Sequence, residues 1–131
     1  MASKFTKFNH QRLFNVEGKT FREGDNFTAQ TLFEYDEEIA TAHLVVGIWK
    51  HNFKAETLEM YPNLPGYNYT IGIKMGEDDY AYLSVPLTMN DTFDEILADP
   101  ALVREINLGR CNICAYHFTK KGEDRYGLEF C

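Results

Sequence analysis

The sequence predicts an α+β domain in which an antiparallel sheet of about seven strands carries one helical segment near residues 91–108. Three observations lead to this prediction. Short segments of alternating apolar and polar residues recur along the chain, turn-forming residues separate them, and a single stretch combines helix caps with a helical apolar stripe. A sheet of this kind is compatible with a curled shape or a partial barrel.

The N-terminal part of the chain contains two predicted strands. Arg12–Val16 is a short apolar segment, and turn residues follow it at 17–19 and 23–26. Residues 27–33 alternate in a way that is typical of a half-buried strand. One face of that strand would carry Phe27, Ala29, Thr31 and Phe33.

The segment 37–52 has two interpretations. Asp36 followed by two glutamates is typical of a helix start, whereas Val45–Trp49 has the β-branched and aromatic content of a buried strand. We favour the strand. Farther along, Pro62 and Pro65 predict a loop, because neither can donate to a strand ladder.

A hairpin and the helical segment follow this loop. Residues 67–74 alternate, 75–79 form a turn and 80–85 return. Asp91 is then a predicted helix N-cap, and Asp99 before a proline repeats the start signal, which indicates two short helices or one kinked helix.

The chain is predicted to finish with a hairpin. Gly109 ends the helical segment, residues 110–119 and 125–130 form the two strands, and 120–124 form the turn. With 131 residues, of which 44% are hydrophobic, the chain is expected to form one domain over residues 1–131. The polar residues 1–10 are expected to be a flexible arm.

Charge is the strongest functional signal in the sequence. The net charge of −7 argues against direct nucleic-acid binding, which needs a basic face, and against binding to anionic membranes. The segment 75–103 contains seven acids and neither lysine nor arginine. The seven acids are Glu77, Asp78, Asp79, Asp91, Asp94, Glu95 and Asp99.

This asymmetry predicts a non-enzymatic interaction protein: an acidic inhibitor or adaptor that binds a basic site on a protein partner through these acids. The alternative is that acids in turns and first helical turns only solvate the chain. Compact acidic proteins without motifs are common among phage counter-defence factors, which is an analogy of class alone. No G-x-S-x-G, H-E-x-x-H, Walker or dinucleotide motif is present, and we expect no catalytic residues.

A second hypothesis is a small-molecule binding protein or ligand sponge. Its pocket would be aromatic, because five large rings cluster around the central strands. They are Trp49, Tyr67, Tyr69, Tyr80 and Tyr82. The alternative is that these rings form cross-strand pairs on the sheet.

The cysteines suggest a third hypothesis, a small zinc-binding protein. Cys111, Cys114 and His117 are each three residues apart, and Cys131 completes a possible set of four ligands. A turn over 121–124 would place Cys114 opposite Cys131. The alternative is that the cysteines are small buried hydrophobic residues and that no cofactor is bound. A viral structural or assembly role, with homo-oligomers formed through exposed sheet edges, is also open.

The remaining features concern location. The N-terminus lacks the apolar run of a signal peptide, and the longest apolar stretch, Leu44–Trp49, is far shorter than the roughly 20 residues that span a bilayer. The odd number of cysteines favours a reducing compartment. We therefore expect no membrane partner and a cytoplasmic protein, located in the host cytoplasm if the chain is viral.

Overall fold

One antiparallel sheet of five strands organises the part of the chain that this computed structural model describes, residues 19–22 and 26–131. The spatial order is β3-β2-β1-β4-β5, and the sheet curls into a half-barrel. The strands are β1 (His43–Asn52), β2 (Tyr67–Gly76), β3 (Asp79–Ser84), β4 (Asn112–Lys120) and β5 (Glu123–Phe130). The predicted α+β class with a curled antiparallel sheet is confirmed.

Four α-helices and one 3-10 turn at Leu87–Met89 complete the described part of the chain. The helices are α1 (Ala29–Tyr35), α2 (Ala55–Met60), α3 (Asn90–Ala98) and α4 (Pro100–Asn107). The prediction of about seven strands and a single helical segment is therefore wrong. The predicted arm at 1–10 and strand at Arg12–Val16, and parts of the turns at 17–19 and 23–26, lie outside the described residues.

The predicted strand at 27–33 is wrong, because most of this segment forms helix α1. Thr28 and Thr31 form a reciprocal capping box: the Thr31 amide donates to Thr28 Oγ1 at 3.2 Å, and the Thr28 amide donates to Thr31 Oγ1 at 2.7 Å. Ala29 and Leu32 are buried and three residues apart, which is a helical spacing. The predicted alternation would bury Thr31 and expose Leu32, but in the helix Leu32 is buried and Thr31 is exposed, so the capping box and the helical spacing override the alternation.

The strand interpretation of the segment after Asp36 is confirmed by β1. Asp36 is the C-cap of α1 and does not start a helix. Glu37 and Glu38 then adopt left-handed backbone conformations, with φ of 58° and 63°. This region favours glycine, so two consecutive glutamates there are unusual.

The helical segment predicted near 91–108 consists of two short helices, α3 and α4. This is one of the two forms that the sequence predicts. Asp99 separates them and caps α4, since its carboxylate accepts from the Ala101 amide at 3.0 Å and Pro100 is the first helical residue. The predicted N-cap at Asp91 is wrong, because the helix begins earlier with Met89 as N-cap. Gly109 follows α4 with φ of 75°, as a terminating glycine does.

The concave face of the sheet carries the core. Tyr69, Ile71 and Ile73 of β2 alternate onto this face and are at most 1% exposed, which confirms the predicted hairpin pattern. Leu32 of α1 and Phe93 of α3, both fully buried, belong to the same cluster. The helices therefore close the open side of the half-barrel.

The C-terminal hairpin is confirmed, but its turn is shorter than predicted. Lys120 pairs with Glu123 across the residues 121–122, both of which have positive φ. This two-residue turn pairs Cys114 with Glu129. The predicted register, with Cys114 directly opposite Cys131, is wrong by two residues because the turn is shorter, although the two thiols still lie in contact.

Candidate functional site

The seven acids predicted to bind a partner separate into two groups at opposite ends of β2. Glu77, Asp78 and Asp79 lie at the β2–β3 turn. The other four lie in α3 or directly after it, and Asp94 of this helix contacts the first residues of β2. A ten-residue strand extends about 30 Å, so the seven acids do not form one surface.

Asp79 is paired within the fold. The guanidinium of Arg22 forms two contacts with its carboxylate, Nε to Oδ1 at 2.8 Å and Nη2 to Oδ2 at 2.5 Å. This contact lowers the pKa of Asp79 against the opposing effect of desolvation, and it raises that of Arg22. Arg22 also donates to the Tyr35 hydroxyl at 3.1 Å, and its charged group lies 5.2 Å from the Tyr35 ring centre.

Asp94 is also engaged within the fold. The hydroxyls of Tyr67 and Tyr69 each donate to one of its carboxylate oxygens, and Lys50 Nζ lies 4.0 Å from Oδ1. Burial opposes ionisation of Asp94, but the two hydroxyls and the ammonium together hold its pKa below the ordinary value. Burial and the hydrogen bond to Asp94 raise the pKa of Tyr69. This group fastens α3 to the sheet and occupies both carboxylate oxygens of Asp94 within the fold.

Asn90 extends the same polar group toward the core. Its side chain is 5% exposed and donates through Nδ2 to the Tyr67 carbonyl at 2.8 Å. The Asn90 Oδ1 atom is buried and accepts no hydrogen bond from any described residue. The contact fixes the start of α3 against the start of β2.

The α1–β1 connection lies at the same end of the sheet as the β2–β3 turn. His43 Nε2 lies 2.8 Å from Asp36 Oδ2, and His43 Nδ1 lies 3.3 Å from the Lys74 carbonyl. His43 thus links the end of α1 to β2, as Arg22 links Tyr35 to the start of β3. These two contacts therefore hold the α1–β1 connection and the β2–β3 turn close to each other.

We call the resulting surface the acidic face. It consists of the exposed carboxylates at this end of the sheet, and none of them forms an ion pair with a described residue. The residues are Glu34, Glu37, Glu38, Glu77 and Asp78. Two exposed apolar side chains belong to or follow the first segment, Tyr35, 52% accessible, and Ile39, 63% accessible, and Arg22 joins Tyr35 to Asp79 of the β2–β3 turn.

The negative charge at this end of the molecule affects the pKa of Tyr126 in the neighbouring C-terminal hairpin. Desolvation raises the pKa of Tyr126, and the carboxylates of Asp124, Glu34 and Glu38 raise it further. The acids of the α1–β1 connection are not among the predicted site residues. The run of acids at 36–38 is visible in the sequence, but it bears there on the choice between a helix start and a strand, and the strand is the favoured prediction.

The five aromatic residues predicted to line a pocket lie on two faces of the sheet. Tyr67 and Tyr69 belong to the concave side with Asp94. The other three surround Phe21 on the outer side, where the Phe21 and Tyr82 rings stack at 4.6 Å. A cavity of about 280 Å³ lies on this side. Its lining consists of Asn26, Trp49, His51, Thr70 and Tyr82.

Of the four predicted metal ligands, the three cysteines lie near one another, where Cys131 contacts the Cys114 thiol and helps to raise the pKa of both Cys114 and Cys111, but His117 lies apart. His117 Nε2 lies 2.9 Å from Asp124 Oδ1, at the turn end of the hairpin, whereas Cys111 and Cys131 line a cavity at the other end. In the part of the chain that the structure describes, no group of three or more His, Cys, Asp or Glu residues has metal-binding geometry. Burial raises the pKa of Cys111 to about 11 and that of Cys114 to about 12.

Comparisons with known proteins identify no relative of this chain. No protein-family model matches the chain, and neither a curated protein nor a solved structure gives a match. No helix among residues 19–22 and 26–131 has the length and apolar character needed to cross a membrane.

Proposed function

We propose that this protein is a non-enzymatic inhibitor or adaptor whose acidic face binds a basic site on a protein partner. The observation that supports this proposal is the meeting of two acidic segments, at 34–38 and 77–78, beside the exposed side chain of Tyr35, with the exposed Ile39 directly after the first segment. The α3 acids are separate from this face. The proposal therefore keeps the predicted partner chemistry and moves its centre to the acidic face.

The composition of the face suits protein recognition. Carboxylates on its rim, which form no ion pair with residues 19–22 or 26–131, attract a cationic partner over distances of about a Debye length and orient the encounter. Tyr35 and Ile39 supply the apolar contact area that a stable complex requires after the encounter, and tyrosine is enriched among energetically dominant interface residues. Arg22 holds the Tyr35 side chain through its hydroxyl, which reduces the entropy lost on binding.

The backbone of the acidic face is already arranged for contact. Glu37, Glu38 and Asp78 have φ values of 58°, 63° and 56°, a conformation that costs energy for residues other than glycine. The Asp36–His43 contact holds the first two of them in place. The strained connection therefore presents its carboxylates in a fixed direction.

The test compares two double variants with the same change in net charge. Glu37→Lys with Glu77→Lys alters the acidic face, and Asp91→Lys with Glu95→Lys alters α3 and serves as the control. The tagged proteins are used to capture partners from the native cells at low and high salt, with quantitative mass spectrometry. We expect a basic protein that binds the wild type and the α3 variant, is lost with the face variant, and is released by salt.

Two results would contradict the proposal. One is a set of captured proteins that does not differ between the wild type and the face variant. The other is a partner that the α3 variant loses and the face variant retains. Circular dichroism of each variant ensures that the comparison concerns folded proteins.

Small-molecule binding is a second candidate function, and the outer cavity of about 280 Å³ favours it. Trp49 and Tyr82 offer ring surfaces there, beside the polar side chains of Asn26 and Thr70. Native mass spectrometry of protein purified from its own cells is the test. A retained small molecule that is lost in Tyr82→Ala would support this candidate, and a bare polypeptide mass would argue against it.

A further inference from the structure

The two edges of the sheet differ in how they are covered. Residues near Phe21 and Phe27 pair with the outer edge of β3: Arg22 donates to the Tyr80 carbonyl at 2.8 Å and Phe27 to the Tyr82 carbonyl at 2.9 Å. On the opposite side, β5 pairs with β4 alone among the described strands. No residue of 19–22 or 26–131 forms a backbone hydrogen bond with its outer edge, which therefore offers a row of backbone donors and acceptors.

The hairpin register determines which residues of β5 face outward. The Cys131 amide donates to the Asn112 carbonyl at 3.1 Å, and in an antiparallel pair the bonded positions alternate. Positions 123, 125, 127, 129 and 131 therefore bond to β4. The amides and carbonyls that point away from β4 belong to Asp124, Tyr126, Leu128 and Phe130.

We propose that β5 pairs with β5 of a second copy of this chain, antiparallel and with the two-fold axis at Gly127, to form a continuous ten-stranded sheet. In this register Tyr126 bonds with the partner's Leu128, and Asp124 bonds with the partner's Phe130. The symmetric ladder would contain about eight backbone hydrogen bonds. Closed two-fold pairing is the commonest form of self-association.

Charge complementarity selects this register over its neighbours. With the axis at Gly127, Arg125 lies opposite the partner's Glu129, and symmetry repeats this attractive pair. An axis at residue 125 would place Arg125 opposite the partner's Arg125, and an axis at residue 129 would place Glu129 opposite the partner's Glu129. An axis at residue 126 would place Glu123 opposite the partner's Glu129. An axis at 128 places Arg125 opposite the partner's Cys131 and Glu129 opposite the partner's Gly127, so neither meets an opposite charge. Opposite charges directly across a strand pair stabilise it, and like charges destabilise it.

The side chains at this edge are suited to the pairing. Arg125 contacts Glu123 at 2.8 Å in the single chain, but these side chains are 55% and 68% exposed, so the exchange of partners costs little. Gly127 carries no side chain at the axis, where facing strands in a non-hydrogen-bonded pair approach most closely, and the Tyr116 ring of β4 occupies the space where a Cβ would lie. Tyr126 and Leu128 extend the apolar side of the sheet across the junction.

The experiment is a charge-reversal cycle followed by analytical ultracentrifugation. Arg125→Glu and Glu129→Arg each place like charges opposite each other twice, and each is expected to weaken the dimer at least tenfold. The double variant restores opposite charges and is expected to recover the dimer. Arg104→Glu, at an exposed position in α4 away from the edge, is the matched control and is expected to leave the dimer unchanged.

Hydrogen exchange gives a second readout that reports the register. Amides of Asp124, Tyr126, Leu128 and Phe130 are expected to become protected as protein concentration rises, whereas amides at 125, 127 and 129 are protected at all concentrations by β4. A wild type that stays monomeric at millimolar concentration would overturn the proposal. The proposal would also be overturned if neither single substitution weakened the dimer. It would be overturned equally if the double variant did not restore the dimer.

Discussion

The side chains of His43 and Asp36 form a buried pair that joins the end of α1 to the start of β1. Nε2 of His43 lies 2.8 Å from Oδ2 of Asp36, and the two side chains are 6% and 7% exposed. The other ring nitrogen of His43 faces the Lys74 carbonyl. One side chain thus connects three elements, and the acidic face depends on this connection.

Replacement of His43 by alanine is expected to destabilise the protein by about 3–5 kcal/mol, because it leaves the Asp36 carboxylate buried without its donor. Asp36→Asn is the control, since the amide retains a hydrogen bond to the imidazole, and its cost should be smaller. Urea unfolding followed by Trp49 fluorescence gives both values. A His43→Ala loss below about 1 kcal/mol, the net worth of an ordinary hydrogen bond, would contradict the assigned role of the pair.

Gly72 lies on the outer face of β2 beneath the aromatic cluster. A methyl group there would lie 2.8 Å from Phe21 Cε1 and 3.1 Å from Trp49 Cη2, so Gly72→Ala must displace the rings and is expected to cost about 1–3 kcal/mol. Gly66→Ala is the control, because a methyl group added at Gly66 would meet no atom within 4 Å beyond its chain neighbours. Near-ultraviolet circular dichroism should change for the first variant and remain constant for the second.

Asp94 should make the stability of the protein depend on acidic pH. Its pKa in the folded state lies below the ordinary value of 3.8, so its stabilising contribution is present above that pH and is lost as the pH falls through the lower folded value. Asp94→Asn should be less stable than wild type at pH 7 and should lose less stability in acid. Asp91→Asn is the matched control on the same helix. Parallel pH curves for wild type and Asp94→Asn would contradict this role.

The three cysteines should differ in their rates of alkylation. Burial raises the pKa of Cys111 to about 11 and that of Cys114 to about 12, so at pH 8 only about one Cys111 in a thousand is a thiolate. Cys131 is exposed and should react first with iodoacetamide, as peptide mass spectrometry would show. In urea all three should react at similar rates. Rapid alkylation of Cys114 in the folded protein would contradict its buried position.

Local sequence signals predicted the elements whose stabilising contacts are also local. The β2–β3 hairpin follows from alternation and a turn, and α4 follows from the Asp99 cap with its proline. The wrong prediction of a strand at 27–33 also came from a local sequence pattern. Its alternation is compatible with a strand, and the Thr28 and Thr31 side chains turn it into a helix.

The candidate site was less predictable than the fold. Glu77 and Asp78 were selected from their position in an acidic segment, but Asp94 was selected for the same reason and is held by Tyr67 and Tyr69. Charge in the sequence does not show whether a carboxylate has an internal partner. The acids at 37 and 38 were overlooked because their neighbours at the acidic face come from distant parts of the chain.

The sequence by itself determined the net charge, the alternating strands, the helix breaks and the short hairpins, because these depend on residues a few positions apart. Only the tertiary structure decided which acids share a face and which sheet edge is open. Arg22 and Asp79 are 57 positions apart, and His43 lies 31 positions from the Lys74 carbonyl that it contacts. Contacts of that separation arise from the order of strands in the sheet, which local patterns do not encode.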